Sequence, residues 1–169
     1  MTQSSLWAPW RISYILDKKD DEVSSDVAKG CLFCRLPQEG HDRENLILKR
    51  TQYSYAMLNR YPYSSGHLLV LPLEHAADLN ELGQESYLDL MLLLKESIGH
   101  LQTAMQPAGI NAGINMGEAA GAGIAAHLHF HIVPRWPGDH NFMPVIADTM
   151  VLPQRLEATY DLLQPEFDR

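Results

Sequence analysis

The chain is poor in cysteine: 169 residues hold two, and both lie in Cys31-Leu-Phe-Cys34. That spacing excludes a secreted scaffold stapled by disulfides and points to metal binding or redox exchange. Long apolar runs are missing as well, since no stretch approaches the roughly 18 residues that a membrane span needs. Basic residues are scarce, with 13 Lys plus Arg against 21 Asp plus Glu and a formal charge of −8. Counterion release can then add little to the binding of polymeric DNA or RNA. An anionic small molecule remains a reasonable ligand, because backbone N–H groups and a few side chains bind phosphate whatever the global charge. The first residues, from Met1 to Arg11, lack the basic start and apolar core of a secretory signal, so a cytoplasmic location is expected.

What is present is an ordinary globular composition, 46% hydrophobic and 20% charged, at a length that suits one domain. Residues 1–30 read as an N-terminal extension with a charged, mobile loop over 17–29. Residues 31–135 read as the core region and 136–169 as a C-terminal extension. Strand patterns run over Asn45–Lys49, Tyr53–Leu58 and Gly66–Leu71, the last stopping at Pro72, and later over 109–116 and 127–133. Between Gln84 and Gln106 the residues Tyr87, Leu90, Met91, Leu94, Ile98, Leu101 and Met105 recur at helical spacing. They predict one long amphipathic helix, ended by Pro107 and Gly109, and a short helix is expected over Arg155–Leu163. Strands, one helix and then more strands predict an α+β fold, an antiparallel sheet of about five strands with helices on one side.

Three of the eight histidines alternate in His127-Leu-His-Phe-His131. In a strand, the period of two puts His127, His129 and His131 on one face and turns Leu128, Phe130 and Ile132 to the core. A metal-binding or merely solvated face would account for one such residue. Three in alternation point to chemistry, because neutral imidazole is both a nucleophile and a proton carrier near pH 7. Upstream, Asn115-Met-Gly-Glu-Ala-Ala-Gly-Ala-Gly123 has small residues that let backbone amides approach a phosphate. Such a turn can equally be a tight connection, and it has neither Walker nor Rossmann spacing.

The segment His127–Val133 resembles the signature of the histidine-triad nucleotide-binding family, His-φ-His-φ-His-φ-φ with φ apolar. The resemblance extends to Asn59-Arg-Tyr-Pro-Tyr-Ser-Ser-Gly-His67, to Asn115 and to Gly117. The flanks, Trp7–Arg11 and Pro134–Pro144, are similar to a narrower bacterial subgroup that includes diadenosine tetraphosphate phosphorylases. The resemblance implies that His129 attacks the α-phosphate of an adenine nucleotide or dinucleoside polyphosphate, and that water or phosphate resolves the nucleotidyl-imidazole. It also implies that His127 and His131 flank the nucleophile, that His67 completes the cluster, and that Asn59 meets ribose while Asn115 meets phosphate. A homodimer with a sheet continuous across it is implied as well.

Many members carry Gly-Gln-Ser or Gly-Gln-Thr before the triad, where this chain has Gly121-Ala-Gly-Ile-Ala-Ala126. Backbone amides near Ala122 and Gly123 are therefore expected to serve the phosphate instead. Trp136 reads as a base-stacking, dimer-contact or structural aromatic. Zinc-carrying members imply a closed structural site of Cys31, Cys34, His75 and His127. His41, His100 and His140 read as surface or core residues. Phosphorolysis to ADP and ATP is the leading expectation. The alternatives are hydrolysis of dinucleotides or adenylylated amines, a nucleotide sensor with little turnover, and a metalloenzyme built on the three histidines.

Overall fold

The computed structural model describes residues 30–139 and 154–169. The expected loop over 17–29, the Trp7–Arg11 motif, His140 and the end of the Pro134–Pro144 flank lie outside the described residues.

Among the described residues, apolar runs broken by turns produce five strands: β1 (Ile47–Arg50), β2 (Ser54–Leu58), β3 (Leu68–Pro72), β4 (Gly109–Ile114) and β5 (Phe130–Arg135). Every neighbouring pair is antiparallel, in the order β1-β2-β3-β5-β4. β2 and β3 are buried along their whole length, which is why they read as continuous apolar runs rather than alternating ones. On one face lie the two long helices, α2 (Gln84–Met105) and α3 (Leu156–Phe167). Leu90, Leu93, Leu94 and Leu101 of α2 and Tyr160, Leu163 and Phe167 of α3 pack with Ala56, Leu58, Leu68, Val70, Phe130 and Ile132. Among the described residues, the opposite face is covered by the helical turn α1 (Leu32–Arg35). There Cys31, Phe33, Cys34 and Leu36 meet Ile47, Tyr55, Met57, Leu69 and Leu71. The Tyr55 hydroxyl donates to the Phe33 carbonyl at 2.7 Å and pins this turn to the sheet.

Several element ends differ from the sequence expectation. α2 stops at Met105 because Gln106 takes a left-handed conformation, φ 47°, and its N–H returns to the Gln102 carbonyl. α3 runs beyond Leu163 and through Pro165. The hydrogen bond that proline cannot donate falls at the solvent-exposed Asp161, where water can serve the carbonyl, so the break is tolerated. β3 starts at Leu68, since Gly66, at φ +79°, belongs to the turn in which His67 N–H donates to the Ser64 carbonyl. Among the described residues no helix is long and apolar enough to cross a membrane.

Gly66 matters for where His67 ends up. A Cβ there would lie 2.5 Å from Met105 Sδ and 3.2 Å from Pro134 Cγ, on top of the left-handed backbone. Gly40 has a similar φ of +71° but nothing within 4 Å of the equivalent position. Gly40→Ala should therefore cost only the backbone term, about 1–2 kcal/mol. Gly66→Ala should cost visibly more and lower Tm further, read by thermal denaturation of both variants. Equal losses would mean that the Met105 contact is irrelevant.

Candidate active site and metal-ligand cluster

The histidine-bearing segment enters the sheet only at Phe130, so the expected strand over 127–133 is shortened at its start. The reason lies in its neighbour: β4 ends at Ile114, paired with Phe130, and the chain then turns away through Gly117 at φ 80°. His127 and His129 have no strand beside them on that side. The alternation nevertheless persists, because Leu128 is drawn into the core with Phe130 and Ile132 and its N–H donates to the Ala76 carbonyl at 2.7 Å. His131 is paired with Leu69, which places it on the face covered by α1, away from the long helices.

Hydrogen bonding settles which nitrogen of each imidazole carries the proton. A carbonyl can only accept, so the 2.7 Å contact between His129 Nδ1 and the His127 carbonyl puts the proton on Nδ1 and the lone pair on Nε2. Tyr63 N–H donates to His67 Nδ1 at 3.0 Å, so His67 carries its proton on Nε2. That Nε2 lies 2.9 Å from His131 Nδ1, which must accept, leaving the His131 proton on Nε2. Burial, reinforced by His131 and His129 beside it, pushes the His67 pKa down to about 3, so His67 is neutral near pH 7. These assignments put the lone pair on His129 Nε2 and a proton on His131 Nε2. That is the combination that attack on a phosphorus requires.

His127 faces a second cluster. Its Nε2 donates to the Pro72 carbonyl at 3.0 Å, which leaves the Nδ1 lone pair 3.4 Å from both Cys31 Sγ and Cys34 Sγ. His75 Nδ1 lies 3.3 Å from Cys34 Sγ, and the four ligand atoms all fall within 4.8 Å of one another. Tetrahedral zinc with bonds of about 2.3 Å to sulfur and 2.0–2.1 Å to nitrogen would separate S and N ligands by about 3.6 Å. The donor set and its spacing thus fit a closed tetrahedral cation site. Burial, with Cys31 beside it, raises the Cys34 thiol to about 12, a shift that a coordinated dication would reverse. Burial likewise lowers His127 to about 4, keeping the imidazole in its ligating neutral form.

Other sequence-predicted residues are placed less uniformly. Asn115 follows directly on Ile114, the last residue of β4 and the partner of Phe130. Asn59 stands beside His67, with Nδ2 3.4 Å from Nδ1, while its Oδ1 accepts the Tyr61 N–H at 2.9 Å. In the glycine segment the Ala122 N–H is committed to the Gly117 carbonyl at 3.3 Å, so of the two amides expected to meet phosphate it is already engaged within the turn. Trp136 follows the far end of β5, seven residues from His129 and roughly 20 Å away along an extended chain. His41 is exposed, and His100 packs on Phe167 with ring centroids 4.6 Å apart.

Two neighbours went unassigned in the sequence. The Phe33 ring lies 5.6 Å from His127 and 5.2 Å from His129, wedged between the two clusters, and Tyr63 covers His67 and His131. Both sit inside motifs quoted above, Cys31–Cys34 and Asn59–His67, but neither spacing says which side chain turns toward the histidines.

Comparison with known proteins bears on this site. Residues 41–138 match the HIT domain. Along 167 residues, 97% of this chain and 84% of the relative, the sequence is 38% identical to a protein of Mycobacterium tuberculosis named AP-4-A phosphorylase. An adenosine 5'-monophosphoramidase of Schizosaccharomyces pombe is 37% identical over 105 residues, 62% of this chain and 74% of the relative. Among solved structures, a Zn-bound histidine triad family protein from Mycobacterium smegmatis shares the fold at a TM-score of 0.66 and 22% identity, covering 83% of this chain and 95% of that one. Since the domain spans more than half of the sequence and the mycobacterial relative matches nearly all of it, the chain belongs to the HIT family.

Proposed function

We propose that the protein cleaves dinucleoside polyphosphates, diadenosine tetraphosphate in the first place, through a nucleotidyl-histidine intermediate resolved by inorganic phosphate. The observation that carries this reading is the bond from His129 Nδ1 to the His127 carbonyl, which leaves the Nε2 lone pair as the attacking group. Nε2 forms a bond to the α-phosphorus of one adenosine end as the bond to the bridging oxygen breaks, and ATP departs. An oxygen of inorganic phosphate then attacks the same phosphorus, the P–N bond breaks, and ADP leaves with the imidazole restored. His131 Nε2–H would donate to phosphate oxygens as charge builds on them. Asn59 would contact ribose, and Asn115 and the backbone at Gly117 and Gly123 would contact phosphate, the Ala122 amide being engaged within the turn. Trp136 would stack or brace across a homodimer, and a cytoplasmic location goes with two free thiols.

The same reading assigns structural zinc to Cys31, Cys34, His75 and His127, supported by their spacing and by a fold neighbour described as Zn-bound. When bound, the ion would tie α1, the end of β3 and the histidine segment together. The similarity to the AP-4-A phosphorylase runs through both flanks, whereas that to the monophosphoramidase covers 62% of the chain, which favours phosphorolysis over hydrolysis of adenylylated amines. Product analysis decides. Diadenosine tetraphosphate should yield ADP plus ATP only when phosphate is present. AMP plus ATP without phosphate would make the protein a hydrolase, and no turnover of dinucleotide alongside cleavage of an adenosine phosphoramidate would move it to the amine-adenylate class.

A further inference from the structure

Tyr63 lies against the two paired histidines. Its ring centroid is 4.7 Å from that of His67, tilted by 37°, and 6.0 Å from that of His131, nearly parallel at 20°. The side chain is 52% exposed and belongs to neither core cluster. The same residue's backbone N–H is the donor that holds the His67 proton on Nε2, and through it the His131 proton on Nε2. Proton position and ring plane are therefore set by one residue. A stacked aromatic neighbour restricts the rotation of an imidazole about its Cβ–Cγ bond, the movement that exchanges its two nitrogens, beyond what its hydrogen bonds impose.

We propose that Tyr63 is a positioning residue for the nucleotidyl-transfer reaction, holding His67 and His131 so that the His131 Nε2–H faces a phosphate bound at His129. This rests on the reading of His129 as the nucleophile. The ring does the positioning and the phenol oxygen is not required, so phenylalanine should serve in its place. The effect passes through His131 and falls on the transition state, where a displaced donor costs rate more than affinity.

The test compares Tyr63→Ala, Tyr63→Phe and the unaltered protein. Nitrogen-15 shifts of the histidine rings, recorded without substrate at neutral pH, separate Nδ1–H from Nε2–H imidazoles. The unaltered protein and Tyr63→Phe should hold the His131 proton on Nε2, and Tyr63→Ala should show a mixture while still unfolding cooperatively. With diadenosine tetraphosphate and phosphate, Tyr63→Ala should lose about 10- to 100-fold in kcat with KM changed less than about threefold, and Tyr63→Phe should recover most of the rate. A variant that loses thermal stability but keeps both the His131 signature and kcat would reduce Tyr63 to a structural aromatic and overturn the proposal. Failure of Tyr63→Phe to rescue would overturn it in favour of a role for the hydroxyl. If the unaltered protein does not turn over the dinucleotide, the functional reading falls by itself, and the ring spectra still decide whether Tyr63 orients His131.

Discussion

Replacing His129 by alanine should lower turnover of diadenosine tetraphosphate by at least about 10⁴-fold while nucleotide affinity changes less than about threefold. The size of the loss follows from the arrangement of lone pairs. His67 has its Nδ1 lone pair committed to the Tyr63 N–H, His131 has its own committed to His67, and His127 turns its Nδ1 toward two sulfurs. No neighbouring imidazole can take over the attack without breaking a bond that the fold supplies. Binding, by contrast, would draw on Asn59, Asn115 and the glycine segment in the proposed reading, and the substitution leaves these in place. Turnover assays with isothermal titration of a non-hydrolysable dinucleotide analogue measure both quantities. Acid-sensitive labelling of the unaltered protein by radioactive substrate, absent from His129→Ala, would identify the intermediate directly. Retained turnover would sink the nucleophile assignment, and equal loss of binding and rate would make His129 a binding residue only.

The second large effect is expected from stripping the proposed zinc. A cation held at a free concentration of about 1,000 times its Kd adds about 4 kcal/mol to stability. Each kcal/mol moves Tm by about 2–4 °C in a chain of this size, so chelation should lower Tm by about 8–16 °C. Activity should fall together with stability, because His127 belongs to both clusters: its Nδ1 faces the cysteines and its carbonyl receives the His129 proton. Zinc should restore both, and metal content should follow at one ion per chain. Cys34→Ser should behave as the chelated protein does. Activity lost without any change in Tm would point to a metal that acts on substrate, and neither effect would mean that the four side chains hold no ion.

How far the sequence could be read depended on the kind of signal. The long helix was legible because seven apolar residues keep one period from Tyr87 to Met105, and the strands because turns interrupt apolar runs. Ends were less legible. The short helix expected over Arg155–Leu163 runs on through Pro165 to Phe167, and Gln106 ended α2 in a conformation usually left to glycine or asparagine. The triad was legible as an alternation, but not that its first two histidines stand outside the ladder, since that depends on Gly117 carrying β4's continuation away from them.

Local order along the chain determined the α+β class, the one-sided histidines and the Cys-x-x-Cys pair, because periodicity and spacing act over a few residues. Long-range placement was decided only when the sheet formed. Antiparallel pairing of β3 with β5 brings His67 to His131 across 64 positions, and the covering of the second sheet face by α1 brings Cys31 to His127 across 96. The tautomers followed from those contacts, since the Tyr63 N–H and the His127 and Pro72 carbonyls each leave an imidazole one way to hold its proton. Sequence spacing carries no information about which backbone group a ring will meet, and that meeting is what makes one of these histidines a base and its neighbour a donor.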